Sequence, residues 1–144
     1  MTSEPSPIQK GSCSCGAIQI EIRGPPAFAG LCHCLSCQKT TSSAFSTNWV
    51  VPKPNFTLVS GTPSSWDNVG GSGNPVTRKF CGTCSCAMWT EAASFPGIVV
   101  VKAGVMDGGV LGSVVPGTEA WTCRRPGWVG EVQGATQFCE GYKA

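Results

Sequence analysis

The sequence predicts a mainly β fold of short antiparallel strands with at most one or two short helical turns. Two observations carry that prediction. The 144 residues hold 19 Gly and 11 Pro, a density of turn residues that breaks long helices and favours short strands. Apolar residues also recur with period 2, most clearly in Ala17-Ile-Gln-Ile-Glu-Ile-Arg23, the mark of a strand with one buried face. The length fits a single domain. Residues 1–10, polar and broken by Pro, read as a disordered tail ahead of one domain over 11–144.

The elements follow in order. The first strand ends at Gly24-Pro-Pro26. Ser36 to Ser43 carries the only helical suggestion, one or two turns after Cys34. Phe45-Ser-Thr-Asn-Trp-Val-Val51 and Asn55-Phe-Thr-Leu-Val59 are β-rich runs divided by Pro52 and Pro54. From Ser60 to Pro75 the composition turns to Gly, Ser, Thr, Pro and Asn, which predicts a long loop in which Trp66 can cover a pocket. Val76–Phe80 and Ala87–Thr90 flank a cysteine pair as the arms of a hairpin. Gly97-Ile-Val-Val-Val-Lys102 reads as a buried strand, and the final 25 residues as short strands and turns around Glu119, Trp121, Trp128 and Phe138.

Charge narrows the partners. The formal net charge is +2 and charged residues make up 12%, about half the usual share, with no Lys/Arg run. Neither a nucleic-acid footprint nor a polybasic membrane patch is visible. No stretch approaches the roughly 18 consecutive apolar residues of a spanning helix, and the tail lacks the apolar segment of a secretory signal. These features predict a cytoplasmic protein with a small-molecule substrate, no nucleic acid and no membrane. In a reducing compartment, 10 Cys point to metal or catalysis rather than disulfides.

The cysteines fall into three groups: Cys13-Ser-Cys15, Cys32-His-Cys34-Leu-Ser-Cys37, and Cys81-Gly-Thr-Cys84-Ser-Cys86, with Cys123 and Cys139 alone. The spacing Cys81-x-x-Cys84 lets two thiolates reach one tetrahedral ion at about 2.3 Å. A redox dithiol has the same spacing, but the βαβ surroundings of that class are missing. On a strand, Cys13 and Cys15 point the same way and supply two more sulfurs. Together the four make a closed structural zinc site. Cys32, Cys34 and Cys37 supply three thiolates, the count of a catalytic zinc with one free position. Three thiolates leave the ion a weak Lewis acid for water but suit it to an incoming thiol. The alternative is a second closed site with Cys86, His33 or a distant Cys as fourth ligand. His33 is expected to turn its ring to backbone near the site, with proton transfer or ligation as the other roles. Cys86 faces either the open site or the core, and Cys123 and Cys139 read as buried thiols.

Ser12-Cys-Ser-Cys-Gly-Ala-Ile18, Leu31-Cys-His-Cys-Leu-Ser-Cys-Gln-Lys39 and Lys79-Phe-Cys-Gly-Thr-Cys-Ser-Cys-Ala-Met-Trp89 resemble the three motifs of the glutathione-dependent formaldehyde-activating enzyme family, also called the centromere protein V family. Lys102-Ala-Gly-Val-Met-Asp107 is similar to the family's segment after the hairpin. The resemblance implies a zinc-binding β-tent fold and two zinc ions. One is structural, at Cys13, Cys15, Cys81 and Cys84; the other is catalytic, at Cys32, Cys34 and Cys37. It implies carbon–sulfur bond formation or cleavage, typified by joining glutathione to formaldehyde. In such a reaction His33 or Asp107 is the candidate to move protons. One departure is Ser85, where the family usually has Gly, followed by Cys86 in place of a small polar residue.

The expected function is therefore a zinc-dependent carbon–sulfur lyase or thiol-adduct-forming enzyme acting on a small electrophile, with glutathione or its adduct as partner. Two rivals stand beside it. One is a tailoring enzyme that uses the same zinc for dehydration, isomerisation or cyclisation without glutathione. The other is a non-catalytic binding module scaffolded by zinc.

Overall fold

The structure, a computed structural model, describes residues 4–70 and 73–141. In chain order the elements are β1 (Ile8–Ser12), β2 (Gln19–Arg23), β3 (Phe28–Cys32), α1 (Leu35–Thr41), β4 (Ser46–Pro52), β5 (Phe56–Ser60), β6 (Ser64–Val69), β7 (Pro75–Phe80), β8 (Ala87–Ala92), β9 (Ile98–Lys102), β10 (Thr118–Ala120) and β11 (Thr136–Gln137). The fold is mainly β, as the sequence predicts. A small antiparallel sheet has the order β1-β2-β5, and a large one the order β11-β10-β3-β4-β9-β8-β7-β6. The large sheet is antiparallel except where β10 runs parallel to β3 and β11. Among the described residues, no helix is long and apolar enough to cross a membrane.

The core forms where the two sheets meet. On β2, Ile20 and Ile22 are buried while Gln19 and Arg23 are exposed, so the period-2 pattern delivers one apolar face. That face joins Trp49 and Val51 of β4, Met88 and Trp89 of β8, and Val99 and Val101 of β9 in one cluster. Register enforces it: Trp49 lies opposite Val101, which on its other side lies opposite Trp89. Phe56 of β5 closes the cluster against Trp89 at a ring separation of 4.9 Å. Each fully buried aliphatic side chain contributes roughly 1.5–3 kcal/mol.

Strand β4 is buried on both faces. Trp49 and Val51 enter the core, while Ser46, Asn48 and Val50 alternate with them on the opposite face and are also buried. A polar pair buried on a strand needs partners, and that face carries the second cysteine group.

Two expectations are corrected here, and one strand appears that the sequence did not mark. The sequence predicts a tail over 1–10, yet Ile8, Gln9 and Lys10 pair with Arg23, Ile22 and Glu21 in β1; residues 1–3 lie outside the described residues. The long loop over Ser60–Pro75 contains β6, six residues paired with β7 from Ser64↔Phe80 to Val69↔Pro75, and residues 71–72 lie outside the described residues. As an edge strand, β6 gains its backbone hydrogen bonds without needing an apolar face. Strand β3, unmarked by any alternation in Phe28-Ala-Gly-Leu-Cys32, lies between β10 and β4 with its three middle residues buried.

Candidate metal centres

The turn between β7 and β8 places Cys81 and Cys84. It is closed by Cys81 N–H to the Cys86 carbonyl at 2.9 Å and Ser85 N–H to the Cys81 carbonyl at 2.9 Å. Closing it requires a left-handed residue, and Ser85 fills that position at φ 65°. The turn between β1 and β2 brings up Cys13 and Cys15. The four sulfurs all lie within 4.8 Å of one another. Cys15 Sγ stands 3.6 Å from Cys13 Sγ and 3.7 Å from Cys81 Sγ. A tetrahedral ion with sulfurs at about 2.3 Å requires an edge of about 3.8 Å, so the donor set fits zinc. Backbone amides already favour thiolates: Ile18 N–H donates to Cys13 Sγ at 3.3 Å, and Thr83 and Cys84 N–H to Cys81 Sγ at 3.4 Å. The Cys86 amide, then that of Cys15, holds Cys84 down to about 6. Cys15 is drawn down by the Ala17 amide but pushed up to about 11 by the crowded thiols of Cys13, Cys81 and Cys84 and by burial. Four sulfurs competing for protons is a conflict that a divalent cation removes.

The second group sits where β3 runs into α1. Cys34 is the N-cap of α1, and its sulfur accepts from Cys37 N–H at 3.3 Å, so the helix start and the ligand turn are the same structure. Cys32, Cys34 and Cys37 lie within 4.8 Å of one another, and among the described residues no fourth His, Cys, Asp or Glu joins them. Charge in the trio rests on Cys37. Contacts from Cys32 and Cys34 hold it far below the ordinary thiol range, aided by the Lys102 ammonium and the Ser46 hydroxyl. Cys32 is correspondingly pushed up by Cys34 and Cys37. Three thiols converging on one point fit a soft, zinc-like ion with one position left open.

A polar path leads away from this trio along the buried polar face of β4. Asn48 Nδ2 donates to Ser46 Oγ at 3.1 Å, and Lys102 Nζ donates to Asn48 Oδ1 at 2.8 Å. Lys102 also lines a cavity of about 280 Å³ shared with Trp66, Arg78, Lys79, Trp89 and Thr90. Burial pulls the lysine below its ordinary value, opposed by Cys37, with the charge of Arg78 lowering it further. Arg78 Nη2 donates to Ser36 Oγ at 2.7 Å, which ties the cavity wall to the cysteine helix. Arg78 Nε, Trp89 Nε1 and Thr90 Oγ1 are buried without a protein partner. Three cationic side chains, aromatic walls and three buried polar groups without protein partners give the cavity a lining that suits an organic anion.

The expected site residues fall in different places. His33 lies at the second group, but its ring does not turn to backbone: Nε2 meets Glu119 Oε1 at 2.8 Å, while the backbone bond is made by its amide to the Ala120 carbonyl at 3.0 Å. The ring is wholly buried, and Nδ1 has no protein partner. Asp107 accepts from Ser12 Oγ at 2.7 Å, beside the first group. Cys86 sits by that group as well, 3.4 Å from both the amide and the hydroxyl of Ser14, and partly packed on the core. Trp66 borders the cavity, from a strand rather than a loop. Cys123 and Cys139 were expected to be buried and are exposed, because hydrogen bonds rather than apolar contacts hold the C-terminal segment. Sequence reasoning missed Ser46, Asn48, Arg78, Lys102 and Glu119. The alternation of Ser46 and Asn48 against Trp49 was the available signal for the first two.

Comparison with known proteins agrees with this geometry. A Halomonas elongata protein provisionally named a glutathione-dependent formaldehyde-activating enzyme is 26% identical over 104 residues, covering 69% of this chain and 66%, just under two thirds, of the relative. A crystal structure of a Rhodobacter sphaeroides protein superposes with a TM-score of 0.55 at 23% identity, covering 69% of this chain and 88% of that one, which shows a shared fold. The sequence profile of the glutathione-dependent formaldehyde-activating enzymes matches residues 8–124, a span that takes in both cysteine groups and the cavity between α1 and β7. This chain belongs to the glutathione-dependent formaldehyde-activating enzyme family.

Proposed function

We propose that the chain is a zinc-dependent carbon–sulfur lyase or thiol-adduct-forming enzyme that joins a small thiol, with glutathione as the leading candidate, to an electrophilic carbon such as formaldehyde. The observation that carries this reading is the three-cysteine group with no fourth protein ligand among the described residues, set beside a cation-lined cavity. Cys32, Cys34 and Cys37 would hold the reacting ion, and Cys13, Cys15, Cys81 and Cys84 the structural one. When bound, zinc supplies a position at which a thiol loses its proton at neutral pH.

The chain's own residues do the rest. Arg78 and Lys102 bind the anionic part of the thiol compound and orient it. Trp66 and Trp89 wall the cavity and exclude water from the adduct. The Ser46 hydroxyl favours the Cys37 thiolate, and the Ser46–Asn48–Lys102 path fixes the lysine's direction. His33, anchored on Glu119, positions the turn between Cys32 and Cys34. In the reaction a sulfur–carbon bond forms as the carbonyl π bond opens, and the new oxygen takes a proton equivalent to the one the thiol gave up. Loss of the adduct reverses both changes.

The test is exchange spectroscopy of glutathione with formaldehyde, catalysed by the zinc-loaded protein. Adduct formation should accelerate with saturable dependence on glutathione and fall to the uncatalysed rate in Cys34→Ser. An unchanged rate in that variant would sink the proposal.

A further inference from the structure

Cys123 and Cys139 belong to neither cysteine group and play no part in the chemistry above. Cys123 sits in the 3-10 turn Thr122–Arg124, and its N–H donates to the Cys139 carbonyl at 3.3 Å. Trp121 N–H to Glu140 and Thr122 N–H to Phe138 frame the same crossing at 2.9 and 3.0 Å. A backbone bond between two residues brings their Cα atoms within a few ångströms of one another, a separation of the order a disulfide bridges. The Cys123 thiol acts on that of Cys139, and both residues are exposed. We propose that Cys123 and Cys139 form a redox-active dithiol that exchanges with small disulfides such as glutathione disulfide.

The Cys123 contact, with the Glu140 carboxylate in support, holds the proton on Cys139 above the ordinary thiol range, which leaves Cys123 as the attacking sulfur. Arg124 is exposed beside it and draws an anionic disulfide. Cys123 thiolate attacks one sulfur of glutathione disulfide, forming a mixed disulfide and expelling one glutathione thiolate. Cys139 then gives up its proton, attacks the Cys123 sulfur and expels the second. The dithiol is oxidised by two electrons, the disulfide is reduced by two, and both glutathiones leave protonated.

The bridge closes a loop that contains Arg125, Val132 and Gln137, and these three all bind Glu119. Oxidation therefore fastens the segment that anchors His33. The dithiol does not depend on the proposed lyase activity.

The zinc-loaded protein is incubated with glutathione disulfide, then read by intact mass, peptide mapping and zinc content. The expected result is loss of two hydrogen masses, release of two glutathiones, a Cys123–Cys139 link that dithiothreitol reverses, and unchanged zinc. Slower amide exchange at Val132 should accompany the link. The double variant C123S/C139S, altered at exposed positions, should keep its mass. Persistent glutathione adducts without a link, or the same mass loss in the double variant, would overturn the proposal.

Discussion

His33 Nε2 lies 2.8 Å from Glu119 Oε1, with neither side chain exposed to solvent. The two residues are 86 positions apart in sequence. Glu119 is satisfied on its other oxygen by Val132 N–H at 2.9 Å, Gln137 Nε2 at 2.7 Å and Arg125 Nη2 at 3.1 Å. One carboxylate thus links the turn between Cys32 and Cys34 to the C-terminal segment. Gln38 of α1 adds a second link, donating to the carbonyls of His33 and Arg124. The second cysteine group owes its shape to the end of the chain as much as to its own motif.

Removing that carboxylate strands several donors at once. Glu119→Ala should cost about 3–5 kcal/mol, the range for breaking a buried charged pair. Glu119→Gln keeps an acceptor for His33 and should cost less, about 1–3 kcal/mol. Urea unfolding of the zinc-loaded variants measures both. An alanine variant as stable as the glutamine one would show that the network carries no net stability.

The same residue makes stability depend on acid. Burial opposes ionisation, but the Gln137 bond, then His33, Val132 and Arg125, outweigh it and hold Glu119 down to about 2 from an ordinary 4.5. A depressed carboxyl contributes stability above its ordinary value, and that contribution is lost as pH falls from about 4.5 through about 2. The size is on the order of 3 kcal/mol. The difference between wild type and Glu119→Gln isolates it, since protonation of the clustered cysteines affects both proteins. That difference should shrink across this interval; a flat difference would refute the linkage.

What the sequence revealed follows from what leaves a local mark. Ile18, Ile20 and Ile22 alternate because β2 has one wet face, and the cysteine spacings are legible because tetrahedral sulfur geometry permits few separations. Strand β3 hides because Ala29, Gly30 and Leu31 are buried in succession, so no period appears. Strand β6 hides for the opposite reason: its outer positions are exposed and its order comes from backbone pairing with β7. Ser46, Asn48 and Lys102 look like solvent-facing strand residues until the second cysteine group and the cavity are seen on that face of the sheet. Glu119 acquires its role from partners up to 86 residues away, which no window of sequence contains.

Ser85 sits at a φ of 65°, the left-handed conformation that favours glycine. A side chain in that conformation costs about 1 kcal/mol or slightly more. The Ser85 hydroxyl recovers part of this by donating to the Cys84 carbonyl at 2.6 Å. Ser85→Gly should therefore stabilise the zinc-loaded protein, by about 0.5–1 kcal/mol. Chemical denaturation reads this directly, and a destabilised variant would mean the hydroxyl outweighs the strain.

The two cysteine groups should fail differently. Cys81 and Cys13 are part of the core cluster, whereas Cys32, Cys34 and Cys37 lie on the other face of β4. On the proposed assignment, Cys84→Ser should lose one zinc equivalent together with cooperative unfolding, because an ion there would brace both sheets. Cys34→Ser should lose one equivalent and retain its circular dichroism. Atomic absorption and thermal melts on the two variants separate the cases; equal melting behaviour would contradict the division into structural and reacting ions.

Arg78 is the sharpest test of the cavity. Its Nη2 is committed to Ser36, its Nε has no protein partner, and Lys102 supplies a second cation to the same space. A charge-assisted bond to a substrate anion contributes about 1.5–3 kcal/mol, so Arg78→Gln should weaken binding of a carboxylate-bearing thiol roughly 10- to 100-fold. Affinity for a neutral thiol such as 2-mercaptoethanol should stay the same, since that molecule has nothing to offer the guanidinium. Calorimetric titration of zinc-loaded wild type and variant with both thiols gives the comparison. Equal weakening for the two would mean that Arg78 acts through the packing of Ser36 and α1, and that the anion sits elsewhere.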